Sequence, residues 1–416
     1  MTTTRPSLKS LDDAVAQLLA CATVLAEHEL VSIFDADGRV LAQDLVSALH
    51  VPAQDNSAMD GYAVHCHDVV QAQAQSDGVL PVSQRIAAGA AGAVLAPLSV
   101  ARIFTGAPVP PGADAVVMQE DCEVLQRPDG AAVRIQRVPA LGLNIRRAGE
   151  DVALGAVVLS KGERLAPASL GLAASIGINF LPVARRPRVA LFSTGDELVM
   201  PGDVPPAQMK PGAIYNSNRF FLRALLLRLG CEVSDLGVVP DQLDATLQAL
   251  QSAARQHDLI LTSGGVSVGE EDHIRPAVQS LGSLDLWQLA IKPGKPFAFG
   301  RVQQAHFIGL PGNPVASWVT FLLLVRPFLL KLQGVRQIAP KSIAIPAHFT
   351  WAKADKRREF LRVRRNAEGG LDVFPNQSSG VLTSAVWGDG LVDHPAGQTI
   401  AHGDLVRFIP FAELLG

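Results

Sequence analysis

LILTSGGVSVGEEDH, residues 259–273, is the stretch that decides the fold. The run Leu259-Ile-Leu261 reads as a buried strand, which breaks into Thr262-Ser-Gly-Gly-Val-Ser-Val-Gly269. Glu270, Glu271 and Asp272 follow where the next helix should begin. A strand that passes through small residues into a helix start is how open α/β sheets build ligand sites. Glycines allow close backbone approach, and successive N–H groups cradle an anion. Three acids would repel a bare phosphate, but they suit a divalent cation held between carboxylate and phosphate, as Mg²⁺ often is. The stretch therefore reads as the centre of an enzyme handling a phosphorylated anion. The alternative is a Gly-rich βα turn whose acids only favour the helix N-terminus.

Working outward, residues 187–333 alternate strand and helix patterns. Val189–Phe192 is a strand ending in Ser193-Thr-Gly195-Asp196-Glu197. Asn216-Ser-Asn218 caps a helix that Gly230 stops, and Cys231–Val239 is the next strand. Asp241 caps a helix with Leu243, Leu247 and Leu250 on one face. Beyond the central strand come Leu284–Ile291, the loop Lys292-Pro-Gly-Lys295-Pro296, and strands Phe297–Phe299 and His306–Leu310. Pro311-Gly-Asn313-Pro314 then opens a helix, with Asn313 as N-cap and Pro314 in the first turn. Repeated βα units predict a doubly wound, mostly parallel sheet with helices on both faces. Its ligand loops gather at one edge: 193–198, 239–244, 262–272, 292–296 and 310–315.

The flanks differ in texture. Leu11, Val15, Leu18, Leu19 and Ala22 predict an amphipathic helix within 11–27, with Ser10 and Asp13 as a capping box. Residues 51–139 carry close-spaced Gly and Pro turns, the pattern of a small β-rich domain. The segment 145–182 is expected to return to the first helix. Helical spacing disappears after Gly334, and Lys341–Ile345, Glu359–Arg365, Leu371–Phe374 and Asp404–Ile409 read as short strands. The expected organisation is a multidomain α/β chain. A discontinuous helical or mixed unit (1–50 with 145–182) joins a β-rich domain (51–144), the sheet domain (183–333) and a C-terminal β-barrel-like domain (334–416).

Composition bounds the function. The chain has 416 residues, 36 Lys+Arg against 39 Asp+Glu, and no overall basic surface for nucleic acid or an anionic membrane. Cys21, Cys66, Cys122 and Cys231 are far apart and form no CxxC pair, which predicts reduced thiols in a cytoplasmic protein. Asp12 and Asp13 interrupt the early apolar segment, so no secretory signal is expected. Trp318–Leu330 is too short to span a bilayer and contains Arg326 and Pro327; it reads as a core helix kinked at Pro327. No GxxxxGK[ST] motif is present, and Gly264-Gly265-x-x-x-Gly269 does not match GxGxxG. His65-Cys66-His67 would place both rings on one face of a strand, but no second Cys/His pair completes a soft-metal site. What remains is Lys292 and Lys295 in a Pro-stiffened loop, with Asp196, Glu197, Asp241, Glu271 and Asp272 near the same edge. That set describes a metal-assisted site for a phosphate ester or anhydride, the alternative being solvated lysines and capping acids.

In order, DNSAMDGYAV (55–64), IFTGAPVPPGAD (103–114), STGDEL (193–198), IYNSN (214–218), TSGGVSVGEEDH (262–273), IKPGKPFAFG (291–300) and GLPGNPVAS (309–317) resemble the molybdopterin molybdenumtransferase family. These are the MoeA-type enzymes, also found as the E domain of gephyrin, and the likeness runs from about residue 8 to the C-terminus. The resemblance implies a molybdopterin-binding sheet domain that inserts molybdate into adenylylated molybdopterin, releasing AMP and molybdenum cofactor with Mg²⁺ assistance. It implies that Asp272 and Glu197 are the Mg²⁺-linked acids, with Asp241 a further active-site acid. Lys292 and Lys295 resemble the lysines that bind the anionic substrate. Thr262, Ser263, Gly264, Gly265, Ser267 and Gly269 would form the cradle, and Pro311, Gly312, Asn313 and Pro314 the rigid turn lining the molybdate pocket. Asp60, Thr105 and Asp151 would act from the other domains, because the family is a homodimer in which the β-rich domain faces the partner's cleft. Handover to cofactor-biosynthesis proteins or molybdoenzyme chaperones is also implied. The segment Gln377-Ser-Ser-Gly380 keeps the family's start, but the residues after it are less typical, and Arg362 and Ser379 receive no role.

Overall fold

The structure is a computed structural model that describes residues 8–76, 78–265 and 273–415. Helix α1 (Leu11–Cys21) starts as expected, with Ser10 Oγ accepting from the Asp13 N–H at 3.0 Å. It ends at Cys21 because Ala22 is already extended. Its buried face is Leu11, Ala14 and Leu18, which pack with Phe328 and Leu329 in the core of the sheet domain. The expectation that 145–182 returns to this helix is therefore corrected. The returning segment meets residues 28–46 instead.

Strand β1 (His28–Ser32) pairs antiparallel with Phe180–Ala184, and β2 (Leu45–Val46) pairs with Val157–Leu159. The two pieces share a core of Leu41, Leu165, Leu181 and Val183. Between them lie β3 (Asn56–Ser57), β4 (Gly61–Val64), α2 (Cys66–Gln75), β5 (Val79–Ile86), β6 (Val100–Ile103), β7 (Ala115–Met118), β8 (Cys122–Arg127) and β9 (Gly130–Ile135). Six of these strands form a sheet in the order β7-β4-β6-β5-β9-β8. His65-Cys66-His67 is not a strand: His65 is the N-cap position of α2 and Cys66 its first residue. The Asp114 carboxylate accepts from Cys66 N–H at 2.7 Å and so fixes that helix start. The return passes through β10 (Ile145–Arg146), β11 (Val157–Leu159), α3 (Pro167–Ser175) and β12 (Phe180–Ala184).

The sheet domain runs β13 (Arg188–Thr194), β14 (Leu198–Val199), β15 (Ile214–Tyr215), α4 (Asn218–Arg228), β16 (Glu232–Val239), α5 (Leu243–Ala254), β17 (Leu259–Ser263), α6 (Ile274–Leu281), β18 (Gly282–Gln288), β19 (Ile291–Lys292), β20 (Pro296–Val302), β21 (Ala305–Leu310) and α7 (Pro314–Thr320). The order is β16-β13-β17-β21-β20-β18, parallel from β16 to β21 and antiparallel at the β20 and β18 edge. The edge is antiparallel because Val302 pairs with Ala305 across a two-residue turn, with Gln303 at φ 52°. Such a turn makes a hairpin, whereas a parallel neighbour needs a long crossover. Alternate residues face opposite helix layers: Val189 and Leu191 meet α4 and the C-terminal helices, while Ala190 and Phe192 meet α5 and α6.

The apolar stretch Pro314–Leu332 has mean hydropathy 1.7 and is 83% buried, a core element. The irregularity expected at Pro327 takes the form of a π turn, Phe321–Val325, between α7 and α8 (Arg326–Leu332). Pro327 offers no N–H to the Leu323 carbonyl, so the wider turn absorbs the missing bond. The C-terminal unit contains β22 (Ile343–Pro346), β23 (Arg358–Arg365), β24 (Leu371–Val373), α9 (Thr383–Trp387), β25 (Gly390–His394) and β26 (Leu405–Pro410). Its sheet order is β19-β23-β25-β26-β22 with β24 on β23, and an Ala347–Leu371 bridge curls it. Strand β19 comes from the sheet domain, so the lysine loop is built into the C-terminal sheet in a register that sets Lys292 opposite Glu359.

Candidate active site

The parallel strands β13 and β17 end side by side at Ser193 and Ser263, and the loops beyond them open a cleft of about 810 Å³. Gly264 and Gly265 turn the chain away from β17 at φ 92° and 65°, in the left-handed region. A Cβ at Gly265 would lie 2.6 Å from Ile274 Cγ1 and 2.9 Å from Thr194 Oγ1. Gly265 therefore packs against the start of α6 and the end of β13 with no room for a side chain. Ser267, Gly269 and Asp272, and with them the expected Mg²⁺-linked acid, lie outside the described residues.

Asn218 ties the cleft loops together. Its Nδ2 donates to Ser263 Oγ and to the Gly312 carbonyl, both at 2.7 Å, and its Oδ1 is buried without a partner. Asn216 Oδ1 accepts from Arg219 N–H at 3.2 Å, so the cap of α4 comes from Asn216. Asn313 is the N-cap position of α7 but makes no side-chain cap. The Ser379 carbonyl takes that place, accepting from Val315 N–H at 2.8 Å, because the C-terminal loop 377–379 docks there. Asp241 is not a helix cap either: α5 begins at Leu243 with Gln242 as N-cap, and Asp241 lines the cleft.

The cations are held from the C-terminal sheet. Lys292 Nζ lies 2.8 Å from Glu359 Oε1 and 3.3 Å from Asp355 Oδ2. Burial opposes the Lys292 charge, but these two carboxylates outweigh it and raise the lysine above its ordinary pKa. The Arg357 side chain, hydrogen-bonded to Asp355, holds that carboxyl well below the usual range, with further help from the Arg357 N–H and Lys292. Lys295 is exposed and makes no ion pair among the described residues. Across the cleft, exposed Glu197 arches over Gly195, where any Cβ would strike its carboxylate. Arg362, fully buried behind the loop, meets Ser384 Oγ at 3.1 Å and the Phe360 carbonyl at 3.0 Å, and burial lowers its pKa to about 10.

The structure brings together Glu197, Asp241, Ser263, Gly264, Gly265, Lys292, Lys295, Pro311, Gly312, Asn313 and Pro314. Thr262 does not join them: strand alternation turns it to the opposite face from Ser263, and it is fully buried. Asp60 and Thr105 meet each other elsewhere, with Asp60 Oδ1 accepting from Thr105 N–H and Oγ1 at 2.8 Å each, and neither lines this cleft. That backbone bond is the main cause of the lowered Asp60 pKa. Asp151 is exposed, its N–H bonded to the Val51 carbonyl, and is also outside the cleft. Sequence reasoning missed Asn216, Asn218, Arg357, Gln377, Ser378 and Ser379 as lining residues. The NSN and QSSG motifs carried that signal, whereas Arg357 left none.

Comparison with known proteins gives the site its setting. The MoeA N-terminal region (domain I and II) matches residues 9–177, a probable molybdopterin binding domain matches 190–331, and the MoeA C-terminal region (domain IV) matches 344–411. A molybdopterin molybdenumtransferase of Haemophilus influenzae is 40% identical over 98% of this chain and 100% of its own. Molybdopterin molybdenumtransferase 2 of Mycobacterium tuberculosis is 38% identical over 88% of this chain and 90% of its own. The crystal structure of a molybdopterin biosynthesis MoeA protein from Pyrococcus horikoshii aligns with TM-score 0.78 at 30% identity, covering 97% of this chain and 99% of that one. With matches spanning all its units and a cleft at the sheet edge, the chain belongs to the MoeA family of molybdopterin molybdenumtransferases.

Proposed function

We propose that the cleft takes adenylylated molybdopterin and molybdate, transfers the molybdenum to the pterin and releases AMP, as a step of molybdenum cofactor biosynthesis. The observation that carries this reading is the convergence of Lys292, Lys295 and Arg357 with Glu197 and Asp241 on one cleft of about 810 Å³. Lysine suits an oxyanion as a point charge, and Arg357 adds a planar fork. Pro311 and Pro314 stiffen the wall beside them, and Asn218 fixes that wall to the Gly264 loop. Together these side chains orient two anions with little reorganisation, the chief means of accelerating phosphoryl chemistry.

The donor set fits a hard cation. Among the described residues no cluster of three metal-ligating side chains forms, and no Cys or His lines the cleft. Mg²⁺ needs only one or two carboxylates, its other ligands being waters and phosphate oxygens. Glu197, together with Asp272, would hold it, with Asp241 a further acid of the same cleft. When bound, Mg²⁺ would polarise the phosphate oxygens of the anhydride as a Lewis acid.

Asp60, Thr105 and Asp151 belong in this proposal to the cleft of a second subunit, so that a homodimer carries two composite sites. The protein would work in the cytoplasm and hand its product to later cofactor-biosynthesis proteins or molybdoenzyme chaperones. The test is turnover by Lys292→Ala and Asp272→Ala: both should fold and lose molybdate-dependent AMP release, Lys292→Ala with a lowered unfolding midpoint because it leaves the buried Glu359 carboxylate without its cation. Normal turnover by a folded Asp272→Ala enzyme would remove that residue's Mg²⁺ role.

A further inference from the structure

We propose that Asp355 is a resident carboxylate that occupies the cleft cations Lys292 and Arg357 until a doubly charged oxyanion displaces it, and that it thereby sets the charge selectivity of the anion subsite. The inference rests on the function proposed above only for the identity of that oxyanion.

Both Asp355 oxygens are engaged. Oδ1 accepts from the Arg357 N–H at 3.0 Å and from Arg357 Nε at 3.1 Å. Oδ2 accepts from Arg357 Nη2 at 3.2 Å and faces Lys292 Nζ at 3.3 Å. One carboxylate thus bridges two cations, and both of those cations line the cleft. Lys292 has a second partner of a different kind. Glu359 is 2.8 Å from Nζ, its side chain is 2% exposed, and its Oε2 accepts from Trp351 Nε1 at 2.9 Å. Glu359 is therefore the fixed anchor of Lys292. Asp355 is the exchangeable partner, since its contact is longer and its side chain is 22% exposed.

The consequence follows from charge. An anion entering between Lys292 and Arg357 must replace one resident negative charge. A monoanion only exchanges like for like, whereas a dianion gains additional Coulomb attraction from both cations. The two basic side chains alone would bind any small anion of cellular fluid. With Asp355 in place they favour a tetrahedral dianion. Because Arg357 and Lys292 keep the Asp355 carboxyl ionised far below neutrality, the competitor is present throughout the physiological range.

The experiment is calorimetric titration of wild type and Asp355→Asn with inorganic molybdate, inorganic phosphate and perchlorate. Asparagine keeps the acceptor for the Arg357 N–H and removes the charge. The variant should bind molybdate and phosphate at least ~5-fold tighter, a gain of one competitor's worth of affinity. It should also acquire measurable perchlorate binding, and its KM for molybdate should fall in step. Unchanged or weaker binding of both oxyanions by a folded Asp355→Asn protein would overturn the proposal. Asp355→Ser, read in the same way, replaces it if the asparagine variant does not fold. Wild-type protein that binds phosphate but not molybdate would count against the molybdate reading alone, and tightening for phosphate in the variant would still support the resident carboxylate.

Discussion

Asn218 shows how one residue organises the cleft. Its amide donates to Ser263 Oγ and the Gly312 carbonyl, joining the end of β17 to the turn before α7. Replacing it by Leu leaves the buried Ser263 hydroxyl without that donor and cuts the tie to the Gly312 carbonyl, so Asn218→Leu should lose about 1–3 kcal/mol of stability by urea denaturation and raise KM. Gly265→Ala is a second test, since its Cβ would sit 2.6 Å from Ile274 Cγ1 at a φ of 65°. Overpacking and backbone strain should each cost on the order of 1–3 kcal/mol, measured in the same way. At this scale the sequence was legible where chemistry is local. Gly264 and Gly265 announce a left-handed turn, and Lys292 with Lys295 a cationic loop. It was silent where partners are distant: nothing in KPGKP reveals that Lys292 is held by Asp355 and Glu359 more than sixty residues later.

Among the elements, β21 carries a titration that stability should follow. His306 is buried against Phe328, with ring centroids 4.9 Å apart, and burial, aided by Arg301, lowers its pKa to about 4. A histidine depressed in the folded state favours folding fully above its unfolded value and loses that contribution as pH falls toward the folded one. Between about pH 6.5 and pH 4 the protein should therefore lose about 3 kcal/mol from this group. His306→Phe should flatten that window in denaturation series. Asp258 acts in a different range. Its pKa is lowered because Arg185 and the Arg188 N–H outweigh desolvation, so its share of stability is lost only as pH drops below about 3.8. Element identities in the sheet domain followed from apolar spacing, and the strand–loop–helix order was readable. The antiparallel edge was not, because it depends on a two-residue turn around Gln303 with no Gly or Asn to mark it. The partner of α1 was not readable either, since an apolar face does not name the surface it will cover.

For the whole molecule, the chain divides its candidate residues between two places. Asp60 and Thr105 form their own hydrogen-bonded pair in loops of the β-rich domain, outside the cleft that holds Lys292 and Glu197. If a second subunit brings them together, mixing two inactive variants should restore activity. Asp60→Asn and Lys295→Ala chains, denatured and refolded together, should recover a substantial fraction of wild-type turnover, because each mixed dimer would contain one intact cleft. Refolding either variant alone should recover none. Sedimentation should show a dimer, and a monomer with full activity would remove the composite site. The order of motifs along the chain made the family legible, but no single-chain pattern can show which surfaces meet between subunits. In the function proposed here, the cleft uses its cations to join molybdate to an adenylylated pterin. The most direct test of that function is AMP release by the purified protein given Mg²⁺ and adenylylated molybdopterin, with and without molybdate. AMP release should depend on molybdate and saturate with it. Absence of AMP release, or release at the same rate without molybdate, would contradict that function.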